Sequence, residues 1–270
     1  IPCGGWHVSI DSATMAVVYG DYLSPAFIAM AHRGGSLLTA NLGIENTVRA
    51  FANAVELGFT YLETDVHATA DGQLVAFHDP NLERVTGYDR NLHDLTLDEV
   101  LELRVGDREP IPTLDELFET FPEARFNIDI KHAPAMLPLA EAIRRHAAER
   151  RVCVGSFSRQ CLRRFRATMP EVPTSVSTVG VAALAFGQMP PNGQVFQMPM
   201  SYPIGPVNVD LVTPRSIERI HATGRKVHVW TIDDPTTMHQ LIDWGVDGII
   251  TDRPDSLKDV LSARGMWSTR

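Results

Sequence analysis

Nine short apolar runs punctuate this chain, at residues 27–31, 61–66, 74–77, 126–131, 152–156, 174–178, 195–198, 226–231 and 246–251. Most are followed by a loop and then by apolar residues at helical spacing. Val48, Phe51, Ala52 and Val55 recur this way after a cap at Asn46 or Thr47, and Gly58 stops the run. Thr96 with Glu99 and Thr113 with Glu116 have the spacing of capping boxes. A repeated strand–loop–helix rhythm implies a parallel sheet with helical crossovers. No linker interrupts it, and 270 residues suit one barrel. The expected fold is therefore α/β: a single-domain (β/α)8 TIM barrel over residues 27–270, preceded by an N-terminal lead-in over residues 1–26. Nine strands are one too many, so one of the two weakest, 174–178 or 195–198, is expected outside the barrel.

The run at 61–66 is unusual in what it alternates. Glu63, Asp65 and then His67 share one face, opposite Leu62, Thr64 and Val66. Neighbouring carboxylates repel unless water or a cation separates them. The next run ends in His78-Asp79. In barrels of this kind the active site lies at the C-terminal ends of the strands. His32-Arg33, Glu63 and Asp65, His78, Asp129 and Lys131, Trp230 and Asp252 all fall at or near such ends. Singly, each has a plain reading. The acid pair is a solvated face, His67 and His228 are structural, Trp230 is core, and Glu45 is a first-turn acid favoured by the helix dipole. Jointly they do not, because a barrel rim has no folding reason to collect them.

Their chemistry is consistent. Glu63, Asp65 and Asp129 are hard oxygen donors suited to Mg²⁺ or Ca²⁺ and poorly suited to zinc. Arg33 and Lys131 add a clamp for a phosphoryl group. His32 and His78 can act as general base and acid. The set describes phosphodiester cleavage. A formal charge of −9 argues against a nucleic-acid partner. No apolar run approaches the roughly 18 residues of a membrane span, so no stable membrane anchor is expected. Cys3, Cys153 and Cys161 are too few and too odd for a disulfide framework. With no signal peptide visible, a cytoplasmic location is expected. Oligomeric state is not legible.

AHRGG (31–35), IENT (44–47), ETDVHATADGQLVAFHDP (62–80), NIDIKH (127–132), VHVWTIDD (227–234) and GVDGIITDRPD (245–255) stand in an order that resembles the glycerophosphodiester phosphodiesterases. The resemblance covers residues 28–258. It implies a TIM barrel and divalent-metal-dependent hydrolysis of small glycerophosphodiesters to glycerol 3-phosphate and an alcohol. It further implies His32 and His78 as the catalytic pair, and Glu63, Asp65 and Asp129 at the metal positions. Arg33 and Lys131 take the phosphate positions, and Trp230 the place of an aromatic residue near the substrate. Glu45 and Asn46 match a motif beside the catalytic histidine. Two residues depart from the pattern. Asp129 stands where many members have Glu, and Ile44 where Pro is usual.

Two competing functions use the same residues. A related barrel lipase, acting on lysophospholipids or sphingolipids, would attack with an internal hydroxyl and release a cyclic phosphate. An apolar lip beside the site would favour it; residues 181–200 are a candidate, although a core helix plus loop is the plainer reading. A non-catalytic phosphodiester-binding protein would be expected to lose the histidines or acids, and this chain keeps them.

Overall fold

The computed structural model describes residues 20–204 and 207–267. Seven parallel strands form its centre: β1 (Ile28–His32), β2 (Tyr61–Ala68), β3 (Arg125–Ile130), β4 (Val152–Gly155), β5 (Val195–Met198), β6 (Lys226–Val229) and β7 (Gly248–Thr251). They pair in the order β4-β3-β2-β1-β7-β6-β5. Two residues close the circle. Thr174 bridges Val154 of β4, and Ser175 bridges Val195 of β5, both in parallel. The eighth barrel position is thus an extended dipeptide, shortened by Pro173 on one side and by the helix Thr178–Ala185 on the other.

Both weak strand candidates therefore belong to the barrel, contrary to expectation. The surplus strand is Leu74–Ala76, which pairs antiparallel with the end of β2. Loop length is the reason. A parallel neighbour needs a crossover of about a dozen residues or more, whereas the Asp71-Gly72 turn allows only a hairpin. Thr69 and Gln73 close that turn through a 2.9 Å backbone bond. A second hairpin, Ser201–Ile204 with Val207–Asp210, follows β5 and was not foreseen.

Strand alternation sorts the core into two layers. Leu62 and Val66, Phe126, Ile128 and Ile130, Val152 and Val154, Phe196 and Met198, and Val227 and Val229 face outward. They pack with Phe51, Phe118, Phe165, Leu241 and Leu257 of the surrounding helices. Inward, Ile28, Met30, Tyr61, Cys153, Val195 and Ile250 fill the lower barrel. Tyr22 closes that end: its ring meets Tyr61 edge-on at 5.1 Å, and its carbonyl accepts the Tyr61 hydroxyl at 2.5 Å. Of the expected lead-in over residues 1–26, this part is packed structure; residues 1–19 lie outside the described residues. Above the apolar plug the inward positions turn polar.

Candidate active site

Register decides which polar side chains meet. Asp65 of β2 lies opposite Asp129 of β3, and His32 opposite Glu63. Like charges facing each other across a ladder destabilise it. Here Lys131 answers them: its ammonium sits 2.8 Å from Asp65 Oδ1 and 2.7 Å from Asp129 Oδ2. Above these residues opens a cavity of about 200 Å³. His32, Arg33, Glu63, Asp65, His78, Asp129, Lys131 and Trp230 all line it, so eight of the ten residues assigned a role in the sequence meet at one cavity.

Glu45 and Asn46 stand behind the cavity wall. Glu45 Oε1 accepts from Arg33 Nη1 at 2.9 Å. Asn46 donates to Asp65 Oδ2 at 3.1 Å and accepts from the Thr64 hydroxyl at 2.9 Å. Arg33 Nε also reaches Asp65 Oδ2 at 3.3 Å. The turn that presents Arg33 is tight. Arg33 and Gly34 both have positive φ, and a Cβ at Gly34 would lie 2.8 Å from the Ala50 carbonyl carbon. Thr47 caps the helix Val48–Glu56 by accepting from the Ala50 amide, which anchors the far side of the turn.

Each histidine has one nitrogen committed. His32 Nδ1 donates to Asp252 Oδ1 at 2.8 Å, and His78 Nδ1 donates to Asp79 Oδ1 at 2.6 Å. Among the described residues Nε2 makes no hydrogen bond in either ring, and that of His32 lies 3.7 Å from Glu63 Oε2. Asp252 is held in turn by the Ser36 hydroxyl, and its amide donates to Asp233. His67 donates from Nε2 to the His78 carbonyl at 3.0 Å. It pins the loop carrying His78, which is the structural role expected of it.

The charges follow from burial and neighbours. Burial lowers the His32 pKa, but Glu63 and Asp252 outweigh it and the net shift is upward. Burial dominates at His78 and holds it below its ordinary value. Burial and the nearby Asp65 charge push Glu63 up to about 7. Burial alone would also raise Asp65, yet Lys131 and Arg33 bring it below the usual carboxylate range. Asp129 is raised, chiefly by burial. Glu63 is thus a buried carboxyl short of positive charge, beside an Asp65 that Lys131 and Arg33 neutralise, and the two together offer hard oxygen donors that fit a hard cation. Asp129 is committed to Lys131, and among the described residues no three potential ligands converge at ligating distance.

Some of the site escaped sequence reading. Arg84 ties its two arms together. Its guanidinium grips both Glu45 oxygens at 2.9 and 2.7 Å, and Nε reaches Asp79 Oδ2 at 2.5 Å. The connection runs from His78 through Asp79, Arg84 and Glu45 to Arg33. Asn127 and Gln197 also face the cavity, with Gln197 Nε2 donating to Asn127 Oδ1 at 2.6 Å. Asn127 stands two residues before Asp129 and so shares its inward face, but neither it nor Gln197 was singled out in the sequence. Asp252 was legible only as a rim residue, not as the partner of His32.

Known proteins share this architecture. The pattern of the "Glycerophosphoryl diester phosphodiesterase family" matches residues 32–256. A "Probable glycerophosphodiester phosphodiesterase 2" of Mycobacterium tuberculosis is 39% identical, over 89% of this chain and 92% of its own. A glycerophosphodiester phosphodiesterase of Caldanaerobacter subterraneus subsp. tengcongensis is 32% identical, over 88% of this chain and 99% of its own. An Oleispira antarctica phosphodiesterase, solved in complex with the product sn-glycerol-3-phosphate, superposes with a TM-score of 0.73 at 23% identity, covering 87% of this chain and 96% of its own. With its strands, cavity and motifs in these positions, the chain belongs to the glycerophosphoryl diester phosphodiesterase family.

Proposed function

We propose that this protein hydrolyses glycerophosphodiesters to glycerol 3-phosphate and an alcohol, with a divalent cation, Mg²⁺ or Ca²⁺, as cofactor. One observation carries the reading. Two carboxylate-supported histidines, a buried acid pair, Arg33 and Lys131 line a single cavity at the C-terminal ends of the strands. The names of the sequence relatives and the product held by the Oleispira enzyme support the substrate class.

Arg33 and Lys131 bind and orient the phosphate oxygens, as a rigid fork and a point charge respectively. Glu45 and Arg84 keep the Arg33 fork in place, and Asn46 holds Asp65. His32 and His78 exchange protons with the attacking water and the leaving alkoxide through Nε2. Asp252 and Asp79 hold the two rings and stabilise each imidazolium as it forms. Glu63 and Asp65 would hold the cation, with Asp129 the third candidate. When bound, the cation supplies positive charge against the phosphoryl oxygens.

The test is release of glycerol 3-phosphate from glycerophosphocholine and glycerophosphoethanolamine, with Mg²⁺ or Ca²⁺ and again after chelation. Release that stops with EDTA and returns with metal is expected. Undiminished release after exhaustive chelation would remove the cation from the reading. No release by folded, metal-supplied protein would remove the substrate class.

A further inference from the structure

Residues 172–209 contain no Asp, Glu, Lys, Arg or His, in a chain where Asp, Glu, Lys and Arg make up 21% of all residues. This charge-free stretch is not simply core. It includes the helix Thr178–Ala185, which presents two faces. Thr178, Val181 and Ala182, at i, i+3 and i+4, line the catalytic cavity. Val179 and Phe186, seven residues apart and so on one face, are 60% and 70% exposed. Phe157 and Tyr202, both cavity-lining, are exposed as well. Large apolar side chains exposed on a cavity-lining helix and on the cavity wall itself mark an interaction surface.

Charge narrows the partner. The helix Arg159–Thr168 begins two residues after Phe157 and displays Arg159, Arg163 and Arg164 to solvent. Arg159 also lines a groove against Val179, Gly180 and Ala183. An uncharged apolar lip flanked by arginines fits an interface whose outer layer is phosphate and whose interior is hydrocarbon.

We propose that the lip formed by Val179, Phe186, Phe157 and Tyr202 docks on a phospholipid surface and opens the catalytic cavity toward it. Continuity with the cavity is what gives the docking a use. A substrate held in the surface passes its headgroup to Arg33 and Lys131 while its apolar part stays against Val181 and Ala182. The preference for lipid-borne glycerophosphodiesters rests on the phosphodiesterase reading; the docking itself does not.

Flotation with phosphatidylcholine vesicles tests the docking without turnover. The full chain is expected to float with the vesicles. The double variant Val179→Asp, Phe186→Asp charges two exposed positions outside the site and should lower partitioning on the order of tenfold or more. Its hydrolysis of water-soluble glycerophosphocholine should match that of the wild type, which checks that the cavity is intact. A wild-type protein that stays in the aqueous phase would overturn the proposal. So would a variant that floats as well as the wild type, or binding confined to anionic vesicles and abolished by salt, since either outcome moves the contact off the lip. If the protein floats but hydrolyses no glycerophosphodiester, the functional reading falls and the docking stands.

Discussion

His32 and His78 are held alike, each with Nδ1 on an aspartate and Nε2 left for the cavity. On the proposed mechanism, removing either imidazole removes a proton-transfer group. His32→Ala and His78→Ala are therefore expected to lower kcat by about 10²–10⁴-fold with circular dichroism unchanged. Wild-type turnover in either would exclude that residue from acid–base work. Arg84 acts at one remove. It is half exposed, so its ion pairs contribute little to stability, but it fixes Glu45 and Asp79 together. Arg84→Ala should cost about 10²-fold in kcat/KM through misplacement of Arg33 and His78. Arg84→Lys should recover little, because an ammonium cannot make the two-pronged contact with Glu45. Steady-state kinetics on both variants, with unchanged melting, would separate this positioning role from a structural one.

At the level of elements, the site depends on how β1 and β7 close against each other. Gly248 faces Ile28 across that pair, and a Cβ there would lie 2.6 Å from the Ile28 carbonyl oxygen. Gly248→Ala is expected to destabilise the fold by about 1–3 kcal/mol. Urea unfolding should show a lower midpoint at unchanged slope. The β2 hairpin has a different part. Its short turn keeps Leu74–Ala76 out of the barrel, and the chain leaving it carries His78 over the rim rather than up from a strand. The helix caps Thr96 and Thr113 were legible in advance because each stands three residues before a Glu, whereas Thr47 was one of two candidates that the structure decided. The membership of Thr174 and Ser175 in the barrel was not, since a two-residue strand has no periodicity to read.

Across the whole molecule, acid stability is set in part by groups buried without compensation. His228 is fully buried, both ring nitrogens lack hydrogen-bond partners, and burial holds its pKa down to about 4. The unfolded chain takes up this proton near pH 6.5 and the folded chain only near 4. Stability is therefore whole above the first value and falls as pH drops through the window, by up to about 3 kcal/mol. His228→Leu should flatten urea-derived stability between these limits; an unchanged slope would assign the acid sensitivity elsewhere. The sequence by itself determined the barrel class, the inward and outward faces of β2, and eight residues that line the cavity. Those features rest on local periodicity and on the rule that strand ends share one rim. Only the tertiary structure decided which strand lay outside the barrel, that Lys131 joins Asp65 and Asp129, that Asp252 holds His32, and that Arg84 links the two arms. Those partners are far apart in the chain or belong to different strands, and they meet only when register and barrel closure bring them together.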